Sequence, residues 1–480
     1  MSDFGKLNYI NVGPHGTFKP SGDLKTSPGD IDAIFAHLTA SNADRLSVHF
    51  HGGLVAEGKG LRIAESMFPV YTSAGAHAVS FIWETGLIET LWRNLTAISE
   101  TKLFQKLLRY AIRELTKRLG ADLTGRGEGV PMSLPEIEAE LEKLEKFEGF
   151  DATARGGAAR LDEEELEFIR DEMELDLLLE IEQDEAFGEL ADNLSAEDTK
   201  LRPSVANELN TADGRGPTLF KIAKLLASVV FRVLRRYIRG RDHGLYPTVV
   251  EELVREFYLD DFGGWVWGNM KDVSAQMFLS NTGPISDASH PGTYFLERLA
   301  AHQAANPGFA VDLIGHSAGS IAICNLFRSL EKSGIALSVR NVVFLAPACT
   351  TRLMHDEVVA RPERYKRFRM FTMSDAYEQK DHLVKGVYTR SLLYLISGVL
   401  EEEADTPIAG MERFWTAQAP FDVPHLAKTA TWLQEADKNR AVMSVTTDQA
   451  PGLNSTAQKH GDFDNDDPTR ASLTALVAET

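Results

Sequence analysis

The chain has 480 residues, 43% hydrophobic and 25% charged, a composition that fits a globular protein with a full core rather than a disordered chain. Its net charge of −20 is local, because Leu134 to Asp198 hold 24 acidic and 5 basic residues, and no basic face for nucleic acid emerges. Two cysteines, Cys324 and Cys349, are too few for a disulfide framework and read as buried small apolar residues in a reducing compartment.

In chain order, three zones appear. In the first, residues 1–86, Asn8–Val12 is predicted as a strand and Asp30–Leu38 as a helix with Asp30 as N-cap. Arg45–Phe50 (RLSVHF) and Ala76–Trp83 (AHAVSFIW) follow as strands rich in β-favouring residues. The second zone, residues 87–289, is helical in its periodicity. It is predicted to hold a basic amphipathic helix at Leu91–Leu119, acidic helices at Leu134–Phe147 and Leu161–Phe187, and a long helix at Leu219–Arg239.

The third zone, residues 290–480, returns to alternation: helix Thr293–Ala305, strand Ala310–Ile314, helix Ser317–Leu330, then strands Val339–Leu345, Arg367–Thr372 and Ala441–Thr446. Strands separated by helical stretches predict an α/β fold with a mostly parallel sheet flanked by helices. The middle zone then reads as a large all-helical cap inserted before the third zone's first strand. Ala404–Pro407, Asp448–Asn454 and Asp462–Pro468 have loop composition. Neither an N-terminal apolar leader nor a span of bilayer length is expected, so the predicted compartment is cytoplasmic.

The chemistry concentrates at Gly315-His316-Ser317-Ala318-Gly319, a G-x-S-x-G between a predicted strand and a predicted helix. That turn exposes a serine hydroxyl and aims the Ala318 N–H at a developing oxyanion. A serine needs a base, and on this pattern the acid and then the histidine follow in later loops. Asp375, just past the strand Arg367–Thr372, is the predicted acid, with Asp381 as its rival. His460, after the last strand, is the predicted base; His355, His382 and His425 precede that strand and fit less well. Together Ser317, Asp375 and His460 form the predicted triad. Gly53, with Gly52 as substitute, would supply the second oxyanion donor from the His51-Gly52-Gly53 turn. His51 is expected to fix that turn. His49 and His51 alternate like a metal pair but lack a third ligand, so neither metal nor cofactor is expected. A histidine base implies activity that falls as the pH drops through about 6.5.

GHSAG, the upstream HFHGG and the downstream HGDFD resemble the lipase/esterase side of the α/β-hydrolase superfamily, over Asn8–Gly86 and Gly292–Asp467. The resemblance implies a cofactor-free acyl-enzyme mechanism on carboxylic, including lipid, esters. It departs from the family in reading His-Gly-Gly-Leu instead of three glycines, and in its large insertion. The same triad serves thioesterases, amidases and peptidases, and an inactive scaffold whose insertion binds protein or membrane is the reading of a different class. In this fold such insertions act as lids. Within this one, Leu219–Arg239 combines apolar bulk with nearby cations from Lys221 to Arg241 and no acid, a pattern suited to peripheral contact with an anionic membrane. The plainer expectation is that acidic and basic helices pair with each other.

Overall fold

The computed structural model describes residues 4–53, 55–83, 88–118, 163–194, 200–211, 214–258 and 263–479. Among the described residues seven strands form one sheet: β1 Tyr9–Val12, β2 Arg45–Phe50, β3 His77–Trp83, β4 Ala310–His316, β5 Val339–Leu345, β6 Tyr365–Met373 and β7 Ala441–Ser444. Their order is β1-β3-β2-β4-β5-β6-β7, and every neighbouring pair is parallel. The strands are buried on both faces, which is why they read as continuous apolar runs.

One step in this order runs against the rest. The chain moves from β2 to β3 in one direction and makes every other crossover in the opposite one. With right-handed crossovers, the helix Glu57–Thr72 therefore lies on the opposite face from Pro28–Ala40 and Gly319–Ser333. On its face, Met67, Val70 and Tyr71 join Ile314, Val343, Phe371 and Leu473 in one core cluster. On the other, Phe50, Phe81 and Phe295 pack ring to ring at 4.8 and 5.4 Å. Beyond β2 the chain turns one way and beyond β4 the other, so their carboxyl ends flank the point where a ligand crevice forms in open α/β sheets.

The last helix, Asp467–Ala478, ends on its own cations. Arg45 and Arg340 donate to the Val477 carbonyl at 3.0 and 2.8 Å, and Asn341 donates to that of Leu476 at 3.2 Å. These are the carbonyls that a helix terminus leaves without partners. Arg340 is itself held by the buried Asp312 at 2.9 Å.

The chain divides into two compact units: a sheet unit, residues 1–88, 266–381 and 407–480, and a helical unit, residues 89–265 and 382–406. The helical unit thus ends before residue 289 and recruits a segment from the zone assigned by sequence to the sheet. Within it, Arg215–Ile238 buries Leu219, Ile222, Leu226, Val230 and Val233. Two of its cations lie in ion pairs with the next helix: Arg232 pairs with Glu252 and Glu256 at 2.7 and 2.6 Å, and Arg236 with Glu251 and Glu252 at 2.8 and 3.0 Å. His243 lies between Glu251 and Asp405, and the Tyr388 hydroxyl donates to Glu251 at 2.6 Å. Gly398 closes over this group, where a Cβ would fall 2.3 Å from the Glu251 carboxyl carbon. The remaining basic helix pairs with the acidic one, through Lys117 to Asp176 and Arg118 to Glu172. Of the cations from Lys221 to Arg241, Arg232, Arg236 and Arg241 pair with acidic side chains, and Lys221 donates to the Glu208 carbonyl. Among the described residues no helix is long and apolar enough to cross a membrane.

Several boundaries move for identifiable reasons. Ser27, not Asp30, is the N-cap of Pro28–Ala40, and Asp30 closes a capping box by accepting from the Ser27 N–H. The stretch Leu91–Leu119 is two helices, Ile88–Ser99 and Lys102–Arg118, because the Thr101 hydroxyl accepts the Phe104 N–H and starts the second. Asp184 does the same after Glu163–Gln183. The predicted helix Leu134–Phe147 lies outside the described residues.

Candidate active site

Register places the first components. Phe50 of β2 pairs with Gly315 of β4, so the residues just beyond, Gly52 and Gly53 on one strand and Ser317 on the other, are neighbours. Ser317 does not begin a helix. It sits at φ +50° in the sharp turn between β4 and the helix Gly319–Ser333, a conformation that costs a non-glycine residue about 1–3 kcal/mol. The turn is locked through its backbone: the Ser317 N–H donates to Leu345 at 2.8 Å, and its carbonyl accepts from Ala348 at 3.1 Å and from the Ser320 hydroxyl at 2.6 Å. Both motif glycines are required by close approach. A Cβ on Gly319 would lie 2.1 Å from the Phe50 carbonyl oxygen, and one on Gly315 would lie 2.6 Å from the Gly319 backbone.

His460 must reach this turn from the far edge of the sheet. Three strand spacings, about 14 Å, separate β7 from β4. The connecting loop is pinned along its length. Thr446 and Ser455 exchange backbone bonds at 2.8 and 2.9 Å, and Asp466 accepts from the Thr456 N–H at 2.9 Å while capping the last helix. The loop returns the imidazole so that His460 Nε2 lies 2.9 Å from Ser317 Oγ. Both residues are buried, at 7% and 4% exposure. Burial, reinforced by the neighbouring His316, holds the His460 imidazole down to about 3, against the pull of Asp464. His460 is therefore uncharged at neutral pH, with Nε2 free to accept the serine proton.

Asp375 is not brought to this histidine. Its carboxylate accepts from Gln379 at 2.7 Å within its own short helix, Asp375–Glu378. Asp381 is: its Oδ2 accepts the His460 main-chain N–H at 2.9 Å. The ring's own Nδ1 is buried with no hydrogen-bond partner. Asp375 and Asp381 stand six residues apart, and the helical turn between them carries the second, not the first, to the histidine loop.

The turn after β2 abuts the Ser317 turn. A Cβ on Gly53 would lie 2.7 Å from that of Ala318, and one on Gly52 3.4 Å from that of Ser317. No backbone acceptor among the described residues takes the N–H of Gly53 or Ala318. His51 fixes the turn: its Nδ1–H donates to the Gly52 carbonyl at 2.5 Å, its Nε2 accepts from the Trp83 N–H at 3.2 Å, and its ring stacks on Trp83. His49 instead shares a 2.7 Å bond with the Tyr71 hydroxyl. Among the described residues no group of three potential ligands is placed to hold a metal.

Three residues at the site escape the sequence reading. Ser320 clamps the Ser317 carbonyl and accepts the Cys349 N–H at 3.1 Å. His316, the variable position of the motif, donates from Nε2 to the His460 carbonyl at 3.1 Å. Asp464 is buried 3.4 Å from His316 Nδ1, at ion-pair distance but outside hydrogen-bond geometry. The sequence signal for the last two was their place inside GHSAG and HGDFD, the strings that carry the resemblance. No protein-family model, curated protein or solved structure matches this chain, so a functional reading rests on the geometry of these residues.

Proposed function

We propose that the protein is a serine hydrolase of the α/β-hydrolase type, cleaving carboxylic esters through an acyl-enzyme. The observation that carries this reading is the 2.9 Å approach of His460 Nε2 to the hydroxyl of a serine held at positive φ. A strained turn that presents a hydroxyl to an uncharged imidazole at the carboxyl ends of parallel strands suits nucleophilic catalysis.

In this reading His460 takes the Ser317 proton as Oγ adds to the ester carbonyl. The oxyanion is received by the N–H groups of Ala318, at a helix N-terminus, and Gly53, each worth about 3 kcal/mol in the transition state. His460 then protonates the departing alcohol, and water repeats the sequence to release the acid. Asp381 replaces Asp375 as the orienting carboxylate. It already holds the main chain of His460, the residue whose Nδ1 is buried without a hydrogen-bond partner.

A fluorophosphonate probe on the full chain tests this directly. Wild type is expected to label at Ser317 and Ser317→Ala to remain unlabelled. A folded wild type that does not label sinks the reading and leaves the inactive scaffold. A panel of ester, thioester and anilide substrates then ranks the bond that is cleaved; faster thioester or anilide turnover would replace the ester assignment.

A further inference from the structure

Resting on that reading, we propose that His316 and Asp464 are a positioning pair, a second imidazole–carboxylate couple that fixes the main chain of His460 over Ser317. Both rings are buried and lie nearly parallel, with centroids 5.6 Å apart and planes 29° from each other. The bond from His316 Nε2 to the His460 carbonyl crosses from the nucleophile strand to the base's own residue. His316 Nδ1 faces Asp464, which lies on the same loop as His460. One ring therefore grips the loop at two points and stands next to the nucleophile in the chain. A histidine that served only to fill the core would need neither grip.

The charges around this pair are accounted for. Among the described residues His49 of β2, His51 just beyond it, Tyr71 of the helix Glu57–Thr72 and Asp381, on the His460 N–H, are the other titratable groups around it. Burial holds His49 at about 3 and His51 at about 4, and keeps the Tyr71 hydroxyl protonated. Burial also opposes a charge on His316, but the Asp464 carboxylate outweighs it and raises the imidazole above its ordinary range. Of these rings His316 is the one whose surroundings favour a proton. A charge there lowers the proton affinity of His460, which keeps that ring uncharged to lower pH.

The test compares full-length wild type, His316→Gln and His316→Phe by fluorophosphonate labelling rate and ester turnover across pH, with thermal melts to establish folding. Phenylalanine keeps the ring but removes both grips, and about a 100-fold loss in kcat with KM little changed is expected. Glutamine places an amide N–H where Nε2 stood but carries no charge. It is expected to recover most of that loss while the acid limb of the profile moves to higher pH. A His316→Gln profile that superimposes on wild type overturns the proposal even where the phenylalanine variant fails to fold, and so does a folded His316→Phe that labels at the wild-type rate. A wild type that does not label removes the hydrolase reading itself, and this inference with it.

Discussion

Two buried clusters, one in each unit, treat their ionisable groups in opposite ways. In the helical unit, Glu251 is held by Arg236, His243 and Tyr388, and Arg236 reaches a second carboxylate in Glu252. In the sheet unit, beside Ser317, His49 Nε2, His316 Nδ1 and His460 Nδ1 are all buried without a hydrogen-bond partner. A saturated network specifies one packing and does nothing else. An unsaturated one next to a strained hydroxyl holds hydrogen-bonding capacity in reserve, as reacting sites do.

That contrast can be broken most sharply at Ser317. Ser317→Ala should lower turnover by about 10⁴-fold or more while leaving the melting temperature within a few degrees of wild type. Equal activity in the variant would end the assignment. Next comes the acid: Asp381→Asn should cost about 100-fold or more in kcat, and Asp375→Asn almost nothing. The reverse ranking in steady-state rates would restore Asp375.

The helical unit should respond in stability and not in chemistry. Arg236→Met leaves Glu251 and Glu252 short of a buried counter-charge and should cost about 3–5 kcal/mol in urea unfolding. Gly398→Ala pushes a methyl into the Glu251 carboxyl and should cost about 1–3 kcal/mol. If either variant, still folded, labels more slowly with fluorophosphonate, the separation of roles is wrong.

Acid sharpens the comparison at smaller amplitude. His460 is held at about 3 by burial, so labelling should persist well below the usual histidine range, at pH 5, and fail only toward 3. The decline is thereby expected below the 6.5 of a free histidine. Stability follows a different course. The folded sheet unit keeps His460 and His49 uncharged while the unfolded chain takes protons there, so stability falls once pH drops below about 6.5. In the helical unit burial works against the Glu251 charge, but His243 and Arg236 lower it from 4.5 to about 2. Its contribution is complete above 4.5 and is lost as pH falls toward 2. Circular dichroism and labelling followed together from pH 8 to 3 would separate the two; labelling lost at pH 6 in a folded protein contradicts the buried base.

Local pattern carried much of this architecture. Arg45–Phe50 and Val339–Leu345 are strands at the boundaries that composition alone predicts, because doubly buried strands must be apolar throughout. Ser317 and His460 were legible because their chemistry dictates a turn and a late loop. The choice between Asp375 and Asp381 was not, since both are loop acids and only the path of the main chain decides between them. His316 was hidden for the same reason: its partners lie 144 and 148 positions away, and nothing local records them. The helix breaks at Thr101 and Asp184 were written in capping residues but masked by helix-favouring sequence on either side.

The grip of Arg45 and Arg340 on the end of the last helix has a consequence for His460. His460 hangs on a span of chain moored at β7 on one side and at Asp467–Ala478 on the other. Shortening the protein at residue 466 would keep Ser317, Asp381 and His460 and still slacken the second mooring. The reach from Ser317 to its histidine is thereby governed from the opposite end of the sheet, where β2 and β5 begin.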